Sequence, residues 1–324
     1  MGRARRRAAA QRPDRRVDPA RGRARDGRGR EHRFDALVLA TGARARRLGG
    51  DLPTRGVHHL RTVDDALALA AELVPGRRLA VVGAGFVGTE VASTAASLGV
   101  HVTLLDPLEA PLAGPLGLEV GRLLALRHRA QGVELRLGVR VDRLEAGPDG
   151  RVARVVLADG SDVPCDAVLV AIGSRPEPGP LAGLAALDPA GAVLADAQGR
   201  TDVPGVLACG DCASWARPDG TRQRTEHWTS AARQGRTVAS TLLGEGEPLD
   251  EVPYVWSDQA GVRLQLVGRP AWAARVELEG DESAFRALYL DGDAQPRAVL
   301  LANRPREVAA WRRALAGPGV AVAA

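Results

Sequence analysis

The clearest pattern of apolar and polar positions lies in residues 78–106. An apolar run, LAVVG, has the continuous hydrophobicity of a parallel strand covered on both faces. It turns through Gly83, Gly85 and Gly88, continues with helical spacing, and returns as a second apolar run, HVTLLD, that ends on Asp106. Strand, G-x-G-x-x-G, helix, strand and acid is the order that binds a dinucleotide. Gly83 permits the tight turn, Gly85 lets backbone approach a pyrophosphate, and Gly88 lets helix and strand pack closely. Phe86 and Val87 open the helix, whose first N–H groups face the phosphates. Asp106, 23 residues past Gly83, is placed to accept hydrogen bonds from an adenosine ribose. It would repel a 2′-phosphate, and Pro107, Leu108 and Glu109 follow it with no arginine. The pattern therefore favours NAD(H) over NADP(H), against the plainer alternative of a glycine-rich turn.

Shorter signals flank this unit. Residues 34–39 read as an apolar strand, and Ala40-Thr41-Gly42 as a small-residue turn where backbone lies against a ligand. Residues 45–57 read as a linker, with His58 and His59 as linker histidines rather than a metal pair. An amphipathic helix begins near residues 62–65 and stops at Pro75-Gly76. Beyond Asp106 the spacing predicts a helix over 116–131, a third strand over 133–138, and an antiparallel meander over 139–165. A fully apolar strand over 166–172, ending at Gly173, closes the nucleotide domain. Residues 201–213 hold a short strand ending on Gly210-Asp211, and 225–244 a helix led by Glu226, His227 and Trp228. From Pro253 the texture changes to alternating strands and one helix, an α+β module of about seventy residues.

Composition narrows the chemistry. All 44 basic residues are arginine, so Schiff-base lysine chemistry and a lysine-bearing phosphate loop are excluded. Of these, twelve lie in residues 1–30 with three aspartates, a local +9, so the net +5 leaves the other 294 residues at −4. That arm has no interleaved aromatics and no hydrophobic period, and reads as a disordered leader; a nucleic-acid-binding arm ranks below this. No apolar run reaches 18 residues and no secretory h-region is present, so a cytoplasmic protein is expected. Three cysteines, Cys165, Cys209 and Cys212, make no disulfide framework. Cys209 and Cys212 have redox-motif spacing, but they straddle Gly210-Asp211, and neither a dithiol nor a metal role is expected.

Together FDALVLATGAR, HHLRTVDDA, VVGAGFVGTE, DAVLVAIGSRPE, TDVPGVLACGDCA, TEHWTSAARQG and VWSDQ resemble the FAD-dependent NADH:ferredoxin and rubredoxin reductases, within the pyridine nucleotide–disulfide reductase-like fold. The resemblance covers about residues 31–300. It implies an α/β chain with a Rossmann-like NAD domain (51–173) inserted in an incomplete FAD domain (31–50 and 174–250), followed by a C-terminal reductase domain (251–324). It implies FAD and NAD as cofactors and a ferredoxin- or rubredoxin-type acceptor, with no metal and no membrane. Carried over by residue, Thr41 and Gly42 line the flavin's path, Gly173 is a further cofactor-binding candidate, Arg44 approaches phosphates or the flavin edge, and Gly210 and Asp211 meet the ribitol. Glu226, His227 and Trp228 edge the isoalloxazine. Glu90 lies near the nicotinamide and Trp256 closes the site, these two being the catalytic candidates. The plainer alternatives are a helix cap for Asp211, a solvated first-turn acid for Glu90, and core aromatics for Trp228 and Trp256.

One departure shapes the expectation. The family opens with its own strand–G-x-G-x-x-G–helix for FAD, whereas only the arginine-rich segment precedes Phe34 here. The first half of the FAD domain is thus expected to be missing, whether the chain is a fragment, begins at a misplaced start codon or is truly truncated. The strand over 34–39 would then expose an edge. The polypeptide is expected to bind NADH and hold FAD weakly or not at all. The alternative to a working reductase is an NADH-binding, catalytically impaired interaction protein.

Overall fold

A computed structural model describes residues 16–217, 220–249 and 252–316. The chain forms two compact units, each built from separated stretches: residues 1–43 with 176–250, and 44–175 with 251–324.

In the second unit the apolar runs assemble a five-stranded parallel sheet. Its order is Val57–His58, Ala167–Val170, Arg78–Val82, His101–Asp106 and Glu134–Leu137. The strands lie in the sheet interior because Leu79, Ala80, Val81, Leu104, Val168 and Leu169 have apolar cover on both faces. The helix Phe86–Ser97 covers one face with Val91, Ala92 and Ala95. The meander of Val141–Ala146, Val152–Leu157 and Asp162–Pro164 covers the other through Leu144, Val155 and Val163. Asp166 anchors the sheet at its amino edge, accepting from the Arg78 N–H at 2.9 Å and from its guanidinium at 2.8 Å. The helix Val63–Ala70 starts on a capping box between Thr62 and Asp65.

Residues 45–57 were expected to be linker, with His58 and His59 on it; Val57–His58 instead forms the edge strand of the parallel sheet. Its two residues give no readable alternation. His58 is half-buried and meets Glu72 at 3.3 Å, and Glu72 also pairs with Arg77 and Arg151. Burial pushes His59 below the ordinary histidine range.

The C-terminal module is an antiparallel sheet in the order Tyr254–Gln259, Val262–Gly268, Pro296–Ala302, Ala284–Leu290, Arg275–Asp281. The strand Tyr254–Gln259 is an addition to the pattern read from sequence. The module does not stand apart: the helices Ala113–Leu116 and Leu118–Ala130 share one apolar cluster with it, joining Leu112, Leu116 and Leu124 to Leu264, Phe285 and Leu300. At its centre the fully buried Tyr289 hydroxyl donates to the Leu116 carbonyl at 2.8 Å. The other face is closed by Trp311 of the helix Val308–Ala316.

In the first unit the short strands Leu37–Leu39 and Val206–Ala208 pair in parallel. Their sheet is two-stranded among the described residues, and Val38 is exposed. The core joins Leu39, Leu181, Val206, Cys212, Trp215 and Val238, the last from the helix Trp228–Leu242. Cys209 and Cys212 are buried free thiols, and Cys212 Sγ lies 3.2 Å from the Cys209 carbonyl.

The expected disordered leader needs correction. Residues 1–15 lie outside the described residues, but Arg16–Asp18, Arg23–Arg25 and Glu31–Arg33 form a three-stranded antiparallel sheet. Its acids explain the order. Asp18 accepts from the Arg21 N–H across the first turn, and Asp26 accepts from the N–H groups of Arg28 and Arg30 across the second. Arg23 and Glu31 pair at 2.7 Å across the strands. The density of arginine conceals this period-two pattern in the sequence.

Among the described glycines, Gly88 has the least room for a side chain. A Cβ there would stand 1.8 Å from the Gly83 carbonyl oxygen. Gly88→Ala is therefore expected to force the helix off the sheet and cost about 3 kcal/mol. A denaturant melt checks this, and an unchanged midpoint would contradict it.

Candidate active site

The parallel sheet ends, at its carboxyl edge, in a cavity of about 570 Å³. Four successive strand ends line it: Val82-Gly83, Leu105-Asp106, Val139-Arg140 and Ala171-Ile172-Gly173. Open α/β sheets bind ligands at this edge because the loops there diverge and the helix N-termini converge.

The glycine turn is held from three sides. Gly83 donates to the Leu105 carbonyl at 2.8 Å, Ala84 donates to Asp106 Oδ2 at 2.6 Å, and Leu112 donates to the Ala84 carbonyl at 2.9 Å. Asp106 Oδ1 accepts from the Leu108 N–H at 2.8 Å. Two backbone donors thus fix the carboxylate, while each oxygen retains a lone pair for a ribose hydroxyl.

The three glycines have different causes. Gly83 has φ +105, and a Cβ on it would meet the Ala171 carbonyl oxygen at 2.4 Å. Gly88 is set by the helix–strand contact described above. Gly85 has neither reason: its φ is −76, and no protein atom lies within 4 Å of a Cβ built there. It caps the helix Phe86–Ser97 with no side-chain hydrogen bond, at the mouth of the cavity. The protein does not need glycine at this position, but a pyrophosphate resting on the helix N-terminus does. The residues present therefore fit a dinucleotide.

Of the predicted cofactor contacts, Gly83, Gly85, Asp106 and Gly173 converge on the cavity, while Phe86, Val87, Gly88 and Glu90 do not line it. Phe86 packs against the apolar cluster of the C-terminal sheet, and Val87 is exposed. Glu90 is half-buried one turn further along the helix, where Ser257 donates to its carboxylate. Burial, followed by the Asp258 charge, pushes its pKa up against the pull of that hydrogen bond. Trp256, on the same strand as Ser257, is 39% exposed and lies 6.0 Å from the Tyr254 ring. Both catalytic candidates thus belong to one helix–strand junction. Arg140 was not anticipated, though it lies three residues past the parallel strand Glu134–Leu137, where the carboxyl-edge rule would have found it.

The remaining candidates lie in the first unit, apart from Arg44 at the start of the second. The paired strands Leu37–Leu39 and Val206–Ala208 bring the 40–42 turn beside Gly210-Asp211, with Cys209 donating to the Leu39 carbonyl at 2.9 Å. The Thr41 hydroxyl donates to the Glu177 carbonyl. Gly42 and Gly210 take φ of +72 and +75, and the Gly210 N–H is held by Gln234 Oε1 at 2.7 Å. Arg224 pairs with Glu226 and reaches the Asp211 carbonyl at 3.5 Å. Burial lowers the His227 pKa despite Asp211 and Glu226, so this ring is neutral at pH 7. Trp228 opens its helix 77% exposed. Bare backbone, an acid and an exposed aromatic at parallel strand ends fit the polyol and ring edge of a flavin.

The pyridine nucleotide-disulphide oxidoreductase model matches residues 7–235, and the reductase C-terminal model matches 254–323. The chain belongs to the pyridine nucleotide-disulphide oxidoreductases, in their ferredoxin reductase branch. It is 37% identical over 283 residues to the biphenyl dioxygenase system ferredoxin–NAD(+) reductase component of Paraburkholderia xenovorans (strain LB400), covering 85% of this chain and 68% of that one. It is 38% identical to the p-cumate 2,3-dioxygenase system ferredoxin–NAD(+) reductase component of Pseudomonas putida, covering 88% and 70%. Among solved structures, the covalent putidaredoxin reductase–putidaredoxin complex matches with TM-score 0.87 and 30% identity, over 93% of this chain and 74% of that one. Among the described residues no helix is long and apolar enough to cross a membrane.

Gly85→Ala separates ligand from fold. Its melt is expected to match the parent protein, while NADH affinity falls about tenfold or more as the methyl displaces the pyrophosphate. Titration calorimetry checks this, and unchanged affinity would remove the cradle.

Proposed function

We propose that the chain is an NADH-dependent flavoprotein reductase that passes electrons to a ferredoxin-type iron–sulfur protein. The observation that carries this is Gly85, a glycine that neither a positive φ nor a neighbouring protein atom requires, at the carboxyl edge of a sheet whose second strand ends in a fixed acid. The named relatives are ferredoxin–NAD(+) reductase components. FAD, when bound, accepts a hydride and releases electrons singly.

The chain's own residues do the rest. Gly83, Gly85 and the helix N-terminus seat the pyrophosphate, and Asp106 selects an unphosphorylated adenosine ribose. Asp211 and Gly210 hold the ribitol, Thr41 and Gly42 line the flavin's path, and Arg44 meets phosphates or the ring edge, while Gly173 lines the nucleotide cavity. Glu226, neutral His227 and Trp228 edge the isoalloxazine; a neutral imidazole leaves the ring's charge unperturbed. Glu90 orients the nicotinamide and Trp256 excludes water, which the hydride would otherwise meet. Phe86 and Val87 contribute by setting the helix entry. The alternative of an impaired NADH-binding protein finds no support in the comparisons. A cytoplasmic location is part of the same proposal.

With FAD added, the purified protein is expected to reduce ferricyanide and a ferredoxin with NADH, and far more slowly with NADPH. Asp106→Arg is expected to reverse part of that preference, read as the ratio of kcat/KM values. No reduction of either acceptor in the presence of added FAD would overturn the assignment.

A further inference from the structure

Glu90 does not stand alone at the helix–strand junction. The Ser257 hydroxyl donates to Glu90 Oε1, Gln259 Nε2 donates to Ser257 Oγ at 2.8 Å, and Gln259 Oε1 meets His128 Nε2 at 3.1 Å. Ser257, Gln259 and His128 are 2%, 3% and 0% exposed. The chain links three elements: the helix Phe86–Ser97, the strand Tyr254–Gln259 and the helix Leu118–Ala130.

Its direction follows from donor chemistry. An amide nitrogen only donates and an amide oxygen only accepts, so with Gln259 Nε2 on Ser257 the His128 proton must sit on Nε2. Ser257 spends a lone pair on Gln259, which leaves its own proton for Glu90. Every bond therefore points toward the carboxylate. Reversing the chain would require a proton on Glu90, a turned Gln259 and the His128 proton moved to Nδ1. That atom is buried with no partner, and an orphaned buried N–H is costlier than an orphaned acceptor. Burial holds His128 below the ordinary histidine range, keeping it neutral and a single-proton donor. The residue just past the strand is also pinned to both helices: Ser93 Oγ accepts from the Ala260 N–H at 2.8 Å, and Arg127 donates to the Ala260 carbonyl at 3.1 Å.

We propose that His128, Gln259 and Ser257 form a one-way hydrogen-bond chain that aims and keeps ionised the Glu90 carboxylate, with Ser257 the positioning residue nearest it. The inference rests on the assignment of Glu90 to the nicotinamide site. Of the groups on the strand packed against the helix, Asp258 is the charged one that acts on Glu90, and it opposes ionisation as burial does. Ser257 is the counterweight to both.

Ser257→Ala, Ser257→Thr, Glu90→Gln and the Ser257→Ala/Glu90→Gln double variant are compared in single-turnover reduction by NADH, with FAD supplied and folding verified by melting. Ser257→Ala is expected to slow reduction about tenfold, the loss of one charge-assisted bond. Its rate–pH profile should shift to higher pH as Glu90 protonates more readily. Ser257→Thr, which keeps the hydroxyl, should restore the rate to within about twofold, and Ser257→Ala should add nothing in the Glu90→Gln background. A full Ser257→Ala effect in that background overturns the chain while leaving Glu90 in place. A wild-type rate for Glu90→Gln overturns both the chain and the nicotinamide assignment. Independently of turnover, 15N spectra of the histidines in the wild-type protein should show His128 as the Nε2–H tautomer; the Nδ1–H tautomer overturns the chain.

Discussion

Everything at the nucleotide edge depends on how closely a helix N-terminus can come to a strand end. Where Gly88 passes the Gly83 carbonyl there is no room for a single methyl group. That contact brings the first N–H groups of the helix over the carboxyl edge of the sheet. It also sets the height at which Ala84 meets Asp106. The acid is thus placed by the glycine turn, not only by its position on the second strand.

The same helix serves two purposes. Its N-terminus belongs to the cradle, and its second turn faces the C-terminal sheet, where Glu90 meets Ser257 of the strand Tyr254–Gln259 and Ser93 meets Ala260 just past that strand. This accounts for the C-terminal module joining the nucleotide-binding part as one compact unit. Apolar packing through Leu112, Leu116 and Phe285 supplies the adhesion, and the polar junction supplies the register.

Continuous local patterns were legible in the sequence. Residues 78–106 showed their strands, turn and acid, and Thr62 with Asp65 marked a helix start. The C-terminal strands alternated cleanly, although Tyr254–Gln259 passed unread because Trp256, Ser257 and Asp258 break its apolar rhythm. What lay hidden was either too short to show a period, as at Val57–His58, or overlaid by charge, as in residues 16–33. The junction partners were beyond any local pattern: His128 and Gln259 are 131 residues apart, and Glu90 and Ser257 are 167. Arg140 was within reach, since it lies three residues past a strand, Glu134–Leu137, whose end must face the cavity. Gly85 shows the limit from the other side: its motif identifies it, but only the empty space around its Cα distinguishes a ligand's demand from the fold's.

Both compact units are discontinuous, the chain passing between them at residues 43–44, 175–176 and 250–251. During synthesis the parallel sheet of the second unit has all its strands once Val170 has emerged. The apolar face of Leu112, Leu116 and Leu124 nonetheless stays uncovered until the C-terminal strands follow, the first of them starting 84 residues later at Tyr254. The nascent chain therefore carries an unsatisfied oily surface for several seconds at ordinary elongation rates of about 5–20 residues per second. Ribosome-associated chaperones have a defined place to act, and no contiguous excision of this polypeptide would liberate either unit whole.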